Sequence, residues 1–108
     1  MSPEERFQKV AGAMRRHANV SLGATKGFGS SALTVSGKIF AMLALKHGFV
    51  VKLPKARIDE LVETGAGSRF EPGPGRVMKE WFVVNAASDK AWTALAREAM
   101  KFVAGIAK

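Results

Sequence analysis

The chain has 108 residues, the size of one domain, and carries 17 basic against 9 acidic residues for a net charge of +8. A chain of this length buries roughly two-thirds of the surface exposed on unfolding, enough for a core without covalent staples. It has no cysteine, which excludes disulfide frameworks and thiolate metal sites and fits a reducing, cytoplasmic setting.

The opening segment, MSPEERFQ, is acidic and polar, and no later apolar run approaches the ~20 residues of a membrane span, so neither signal peptide nor membrane anchor is expected. Ser2 with Glu5 three positions on forms a capping box, and Pro3 takes the favoured first helical position. Phe7, Val10, Ala11, Met14 and Ala18 then repeat at helical spacing, which predicts a helix running to about Asn19 with Arg15, Arg16 and His17 complementing its negative end. Ala32 to Val35 is a short β-prone run, Ser36-Gly37 a two-residue turn signal, and Lys38 to Leu45 a second β-prone run, which together read as a hairpin. A turn at Lys46-His47-Gly48 leads to a third strand, Phe49 to Leu53, and connections this short require antiparallel pairing.

Pro54 ends that strand and opens a short helix that buries Ile58, Leu61 and Val62 and stops at Gly65. The next stretch, GAGSRFEPGPGR at 65–76, is so rich in glycine and proline that it reads as a surface loop, either a functional one, as long ordered loops often are, or one that Phe70 pins to the core. Met78 to Val84 reads as an inner strand, with Trp81 and Val83 on one face and Phe82 and Val84 on the other. Ser88 is the expected N-cap of a last helix that buries Trp92, Leu95, Ala96, Ala99 and Val103, with Phe102 at the edge of the stripe. The expectation is a single α+β domain over residues 1–108, an antiparallel β-sheet flanked by N-terminal, middle and C-terminal helices.

Signatures of chemistry are few. Gly27, Gly29 and Ala32 stand at the spacing of the dinucleotide fingerprint, but a phosphate-cradling loop must run into a helix, whereas a strand is expected here and no acidic ribose partner follows about twenty residues on. No cofactor is therefore expected. Two isolated histidines, His17 and His47, have no metal-ligand spacing, so no metal is expected either. Ser30 and Ser31 lie outside any nucleophile elbow, and the carboxylates of the middle helix read as solvated, so an enzyme is not expected. Trp81 and Trp92 could stack on bases, but their apolar strand and helix contexts read as core.

Charge is unevenly spread. Between Glu5 and Asp59 lie ten basic residues and no acid: Arg6, Lys9, Arg15, Arg16, Lys26, Lys38, Lys46, Lys52, Lys55 and Arg57. From Ile58 onward seven basic residues balance seven acidic ones. A one-signed half of this kind favours a polyanion, with Lys26, Lys38, Lys46 and Lys52 as the candidate nucleic-acid contacts and Arg69, Arg76 and Lys79 as candidate anion contacts around the glycine-rich stretch. The alternative is a protein-interaction module, a homodimer or a docking domain for an acidic regulatory partner.

The run GFGSSALTVSGKIFAML resembles the N-terminal domain of the TfoX competence-regulator family, through Phe28-Gly29, Gly37-Lys38 and Phe40-Ala41. FVVKLPKARIDELVETGAGSRF is similar to the strand and helix that follow in TfoX-like and related YjbR-like proteins, and MKEWFVV, with Trp81, to their tryptophan-containing strand. The resemblance spans about residues 3 to 105. It implies a small α+β domain with an antiparallel sheet in a family linked to transcriptional regulation, whose YjbR-like relatives are regarded as possible DNA binders, and it brings no catalytic residues.

Overall fold

A computed structural model describes residues 2–25, 30–44, 48–73, 75–85 and 88–106. The capping box forms as expected: the Ser2 hydroxyl accepts from the Glu5 N–H at 3.1 Å, and the Ser2 N–H donates back to the Glu5 carboxylate at 3.2 Å. Helix α1 covers Pro3–Met14 and buries Phe7, Val10, Ala11 and Met14. It ends five residues earlier than its apolar spacing predicts. Arg15 is the C-cap, the next residues turn, Asn19 takes a left-handed φ of 66°, and Ala18 is exposed. The last helical turn therefore holds no basic residue.

The turn feeds strand β1, Val20–Thr25, which the sequence pattern does not signal. Strands β2, Ser30–Val35, and β3, Lys38–Ala44, form the expected hairpin around Ser36 and Gly37, whose φ values of 51° and 82° supply the positive pair that a tight two-residue turn requires. Strand β4 spans Gly48–Lys52 and helix α2 Lys55–Glu63. The C-terminus of α2 is a Schellman closure: the Ala66 N–H reaches the Leu61 carbonyl and the Gly65 N–H the Val62 carbonyl, at 3.0 and 3.1 Å, with Gly65 at φ 80°.

The segment expected to be a loop is a strand. Gly67–Gly73 forms β5, antiparallel to β6, Arg76–Val84. It runs along the edge of the sheet, the position that tolerates proline, and register shifts flanking Phe70 absorb its irregular composition. Helix α3 completes the chain at Asp89–Ile106, and the Ser88 hydroxyl accepts from the Ala91 N–H at 3.3 Å.

The six strands form one antiparallel sheet in the order β1-β2-β3-β4-β6-β5, which puts β6 inside, as its two apolar faces suggest. The helices lie on one face, where Phe7, Val10 and Met14 meet Phe40, Phe49, Val51 and Phe82 and the α3 stripe from Trp92 to Val103. Phe49 stacks on Trp92 with centroids 4.4 Å apart and planes 10° from parallel. The opposite face carries a smaller cluster of Ala32, Met42, Ala44, Val50 and Phe70, edged by Ile39, Trp81 and Val83. A bulge explains how consecutive residues Phe40 and Ala41 both reach the helix side: Leu33 pairs with Ala41 but Thr34 with Ile39, so β3 gains one residue there.

Candidate nucleic-acid interface

The basic excess of the first half does not survive folding as a single field, because acids of the second half fold back onto it. Arg6 Nε donates to Asp89 at 2.8 Å, with Lys9 3.5 Å from the same carboxylate, tying α1 to the start of α3. Arg57 on α2 donates through Nε and Nη2 to both oxygens of Glu98 on α3, at 2.9 and 3.2 Å. Lys55 and Arg69 share Asp59. Hydrogen bonds to these partners hold the Asp59 and Asp89 carboxyls below the ordinary aspartate range, the chief donor being Arg69 for the first and Arg6 for the second. The Glu98 carboxylate likewise raises the Arg57 guanidinium.

The sequence-derived candidates are accordingly dispersed. Arg69 is engaged by Asp59. Lys52 lies 5.5 Å over the Trp81 ring, on the sheet face away from the helices. Lys38 pairs with Val35, a member of the helix-side core, so the register puts Lys38 on the other side of the sheet from Lys52. Lys79 is exposed on β6, and Arg76 begins that strand at its pairing with Gly73. Lys26, Lys46, His47, Phe28 and Gly29 lie outside the described residues, as does Gly27. The described residues on either side are strands, β1 before and β2 after, so no helix N-terminus of the kind phosphate binding needs follows there.

A different set of cations converges. Lys90, Arg97 and Lys101 recur at intervals of seven and four on α3, all exposed, which aligns them on one face of the helix. The two acids of that helix, Asp89 and Glu98, pair with α1 and α2, and Asp89 also borders the open cleft that Lys90 and Arg97 line. At the C-terminal half of the row, Lys101 shares a cleft with the α1–β1 turn. This open cleft of about 500 Å³ is lined by His17, Ala18 and Asn19 from the α1–β1 turn, Val35 and Ser36 from the hairpin, and Met100, Lys101 and Ala104 from α3. Arg15 and Arg16 precede this wall, and Lys38 pairs with its Val35. None of these cations has an ion-pair partner among the described residues, and none of the lining residues is acidic.

This surface escapes the sequence pattern for two reasons. Charges of the second half balance when counted along the chain, and the balance hides which helical face each one occupies. Arg15 and Arg16 read as charges complementing the end of a helix that in fact stops before them, with Arg15 as its C-cap. The Lys90, Arg97, Lys101 spacing was the available signal.

Among the described residues no group of three or more potential metal ligands forms, and no helix is long and apolar enough to cross a membrane. No family model matches the chain, and neither curated proteins nor solved structures give a significant match.

Proposed function

We propose that this domain is a non-enzymatic, TfoX-like regulatory module that contacts nucleic acid through phosphate groups. The observation that carries the reading is the row of cations on α3, Lys90, Arg97 and Lys101, none of which has an ion-pair partner among the described residues, while Arg6, Lys9, Lys55, Arg57 and Arg69 face acids of their own. Such a surface recognises charge spacing and not base identity, because ammonium and guanidinium groups on an exposed helix face reach phosphates without entering a groove.

Fluorescence anisotropy with labelled duplex and single-stranded DNA tests it. Binding should weaken steeply with salt, and the triple reversal Lys90→Glu/Arg97→Glu/Lys101→Glu should abolish it with little dependence on sequence. Single reversals should flatten the log–log salt slope on duplex DNA by roughly 0.9 for each phosphate no longer neutralised. Lys52→Glu, on the opposite side of the sheet, should change little. Binding unmoved by salt and by the triple reversal would overturn the reading.

A protein-partner reading has its own observation: Val77 and Met78 on β6 are exposed large apolar residues, at 46% and 37%, beside the edge strand β5. Concentration-dependent sedimentation that disappears in Val77→Lys would favour it.

A further inference from the structure

The cleft beneath Lys101 has features that phosphate contact along α3 does not require. Its wall contains both non-glycine residues of the described chain that adopt a left-handed backbone, Asn19 at φ 66° and Ser36 at φ 51°. They are joined directly, since the Ser36 N–H donates to the Asn19 carbonyl at 3.0 Å. Non-glycine residues in this region cost energy and persist only where surrounding structure holds them, and such positions cluster at ligand sites. Serine is a poor choice at the first position of such a turn, where asparagine, aspartate or glycine fits better. Asn19 and Ser36 thus belong to one wall of a cleft that Lys101 also lines.

The chemistry of the lining is divided. Ala18, Val35, Met100 and Ala104 are apolar, while His17, Asn19, Ser36 and Lys101 bring hydrogen-bond donors and a fixed positive charge. A volume of about 500 Å³ lies within the ~300–1,000 Å³ of small-molecule sites, which combine apolar walls with a few convergent polar groups. A carboxylate offers these groups two oxygens and a single negative charge. A phosphomonoester offers three terminal oxygens and up to two negative charges to the polar groups, and an attached ring or sugar can cover the apolar ones.

From this cleft we infer a binding site for a phosphomonoester carrying an apolar or aromatic body, of mononucleotide size. The ligand bridges the α1–β1 turn and the β2–β3 hairpin to α3. It can be a free metabolite or the phosphorylated end of a nucleic-acid strand, which present the same chemistry.

The test uses adenosine 5′-monophosphate, adenosine and inorganic phosphate as probes against the full chain, followed by amide chemical shifts and calorimetry. The monophosphate is expected to bind in a saturable manner and to move the Asn19, Ser36 and Lys101 amide signals, with adenosine and inorganic phosphate each at least tenfold weaker. Ala18→Trp fills the cleft from an exposed position without altering charge, and Lys101→Glu removes the cation; each should weaken the monophosphate at least tenfold. Lys90→Glu, about 16 Å along the helix from position 101, should leave monophosphate binding intact while weakening duplex DNA, so failure of the cleft and failure of the nucleic-acid reading are separable. Competition by a 5′-phosphorylated but not a 5′-hydroxyl oligonucleotide would support a strand end as the natural source, and its absence a free metabolite. Adenosine binding as tightly as the monophosphate, or Ala18→Trp binding like the parent, would overturn the inference.

Discussion

At the level of single residues, the strongest determinants are aromatic packing and close backbone approach. Phe49 has no solvent exposure, stacks on Trp92 and tilts against Phe7 at 5.9 Å, so it joins α1, β4 and α3 at one point. Phe49→Ala should cost about 3–5 kcal/mol, with a collapse of the near-ultraviolet circular dichroism that Trp92 contributes; chemical denaturation checks the first and a spectrum the second. Gly67 is fixed by space and not by φ. A Cβ there would run into the Val83 carbonyl oxygen and the ring of Phe82. Gly67→Ala should therefore destabilise by about 1–3 kcal/mol, measured by urea melts. Asp89 carries a pH signature. Its carboxyl titrates below the ordinary value, chiefly because Arg6 hydrogen-bonds it, with Lys9 adding attraction. The stabilisation from a depressed carboxyl is fully present above the unfolded value of about 3.9 and is lost as pH falls through the folded one. Urea melts of the parent and Asp89→Asn should thus differ at pH 7, and the difference should shrink progressively as pH is lowered below about 3.9.

At the level of elements, local chemistry that closes on itself is legible in the sequence and long-range accommodation is not. The Ser2–Glu5 capping box, the Ser36-Gly37 turn and the Gly65 stop each depend on residues within a few positions, and each forms where the sequence places it. The end of α1 is displaced from its expected position because Ala18 continues the apolar spacing without being buried; the chain turns at Arg15 to bring β1 beside β2. Strand β5 is hidden because glycine and proline argue against a central strand and are silent about an edge one. The candidate interface is the least legible part, since it depends on which cations lose their freedom to acids more than forty residues away, as Arg57 does to Glu98 and Arg6 to Asp89. The hairpin supplies an element-scale prediction. Ser36 occupies a left-handed position for which asparagine is better suited, so Ser36→Asn should stabilise the fold by roughly 0.5 kcal/mol while preserving the Val35–Lys38 register. A thermal melt with the hairpin amide shifts checks both parts.

At the level of the whole molecule, the balance between ion pairs and net charge decides how salt acts on stability. Each of the ion pairs has at least one side chain about 40% or more exposed, and exposed pairs contribute roughly 0–1 kcal/mol each. Screening them removes little. Against that stands a net charge of +8 on 108 residues, with Arg97 and Lys101, which have no ion-pair partner among the described residues, well within a Debye length of roughly 10 Å at 0.1 M salt. The like-charged Arg97 and Lys101 sit one helical turn apart on that surface. Self-repulsion of the folded state is the larger contribution, so raising sodium chloride from 20 to 300 mM should increase the melting temperature by roughly 2–4 °C, about half a kcal/mol for a domain of this size. The triple reversal Lys90→Glu/Arg97→Glu/Lys101→Glu changes the net charge by −6 and removes the repelling row. Its melting temperature should accordingly start higher in low salt and lose the upward dependence. A parent protein whose melting temperature falls with salt would show instead that the ion pairs joining α1 and α2 to α3 outweigh the repulsion.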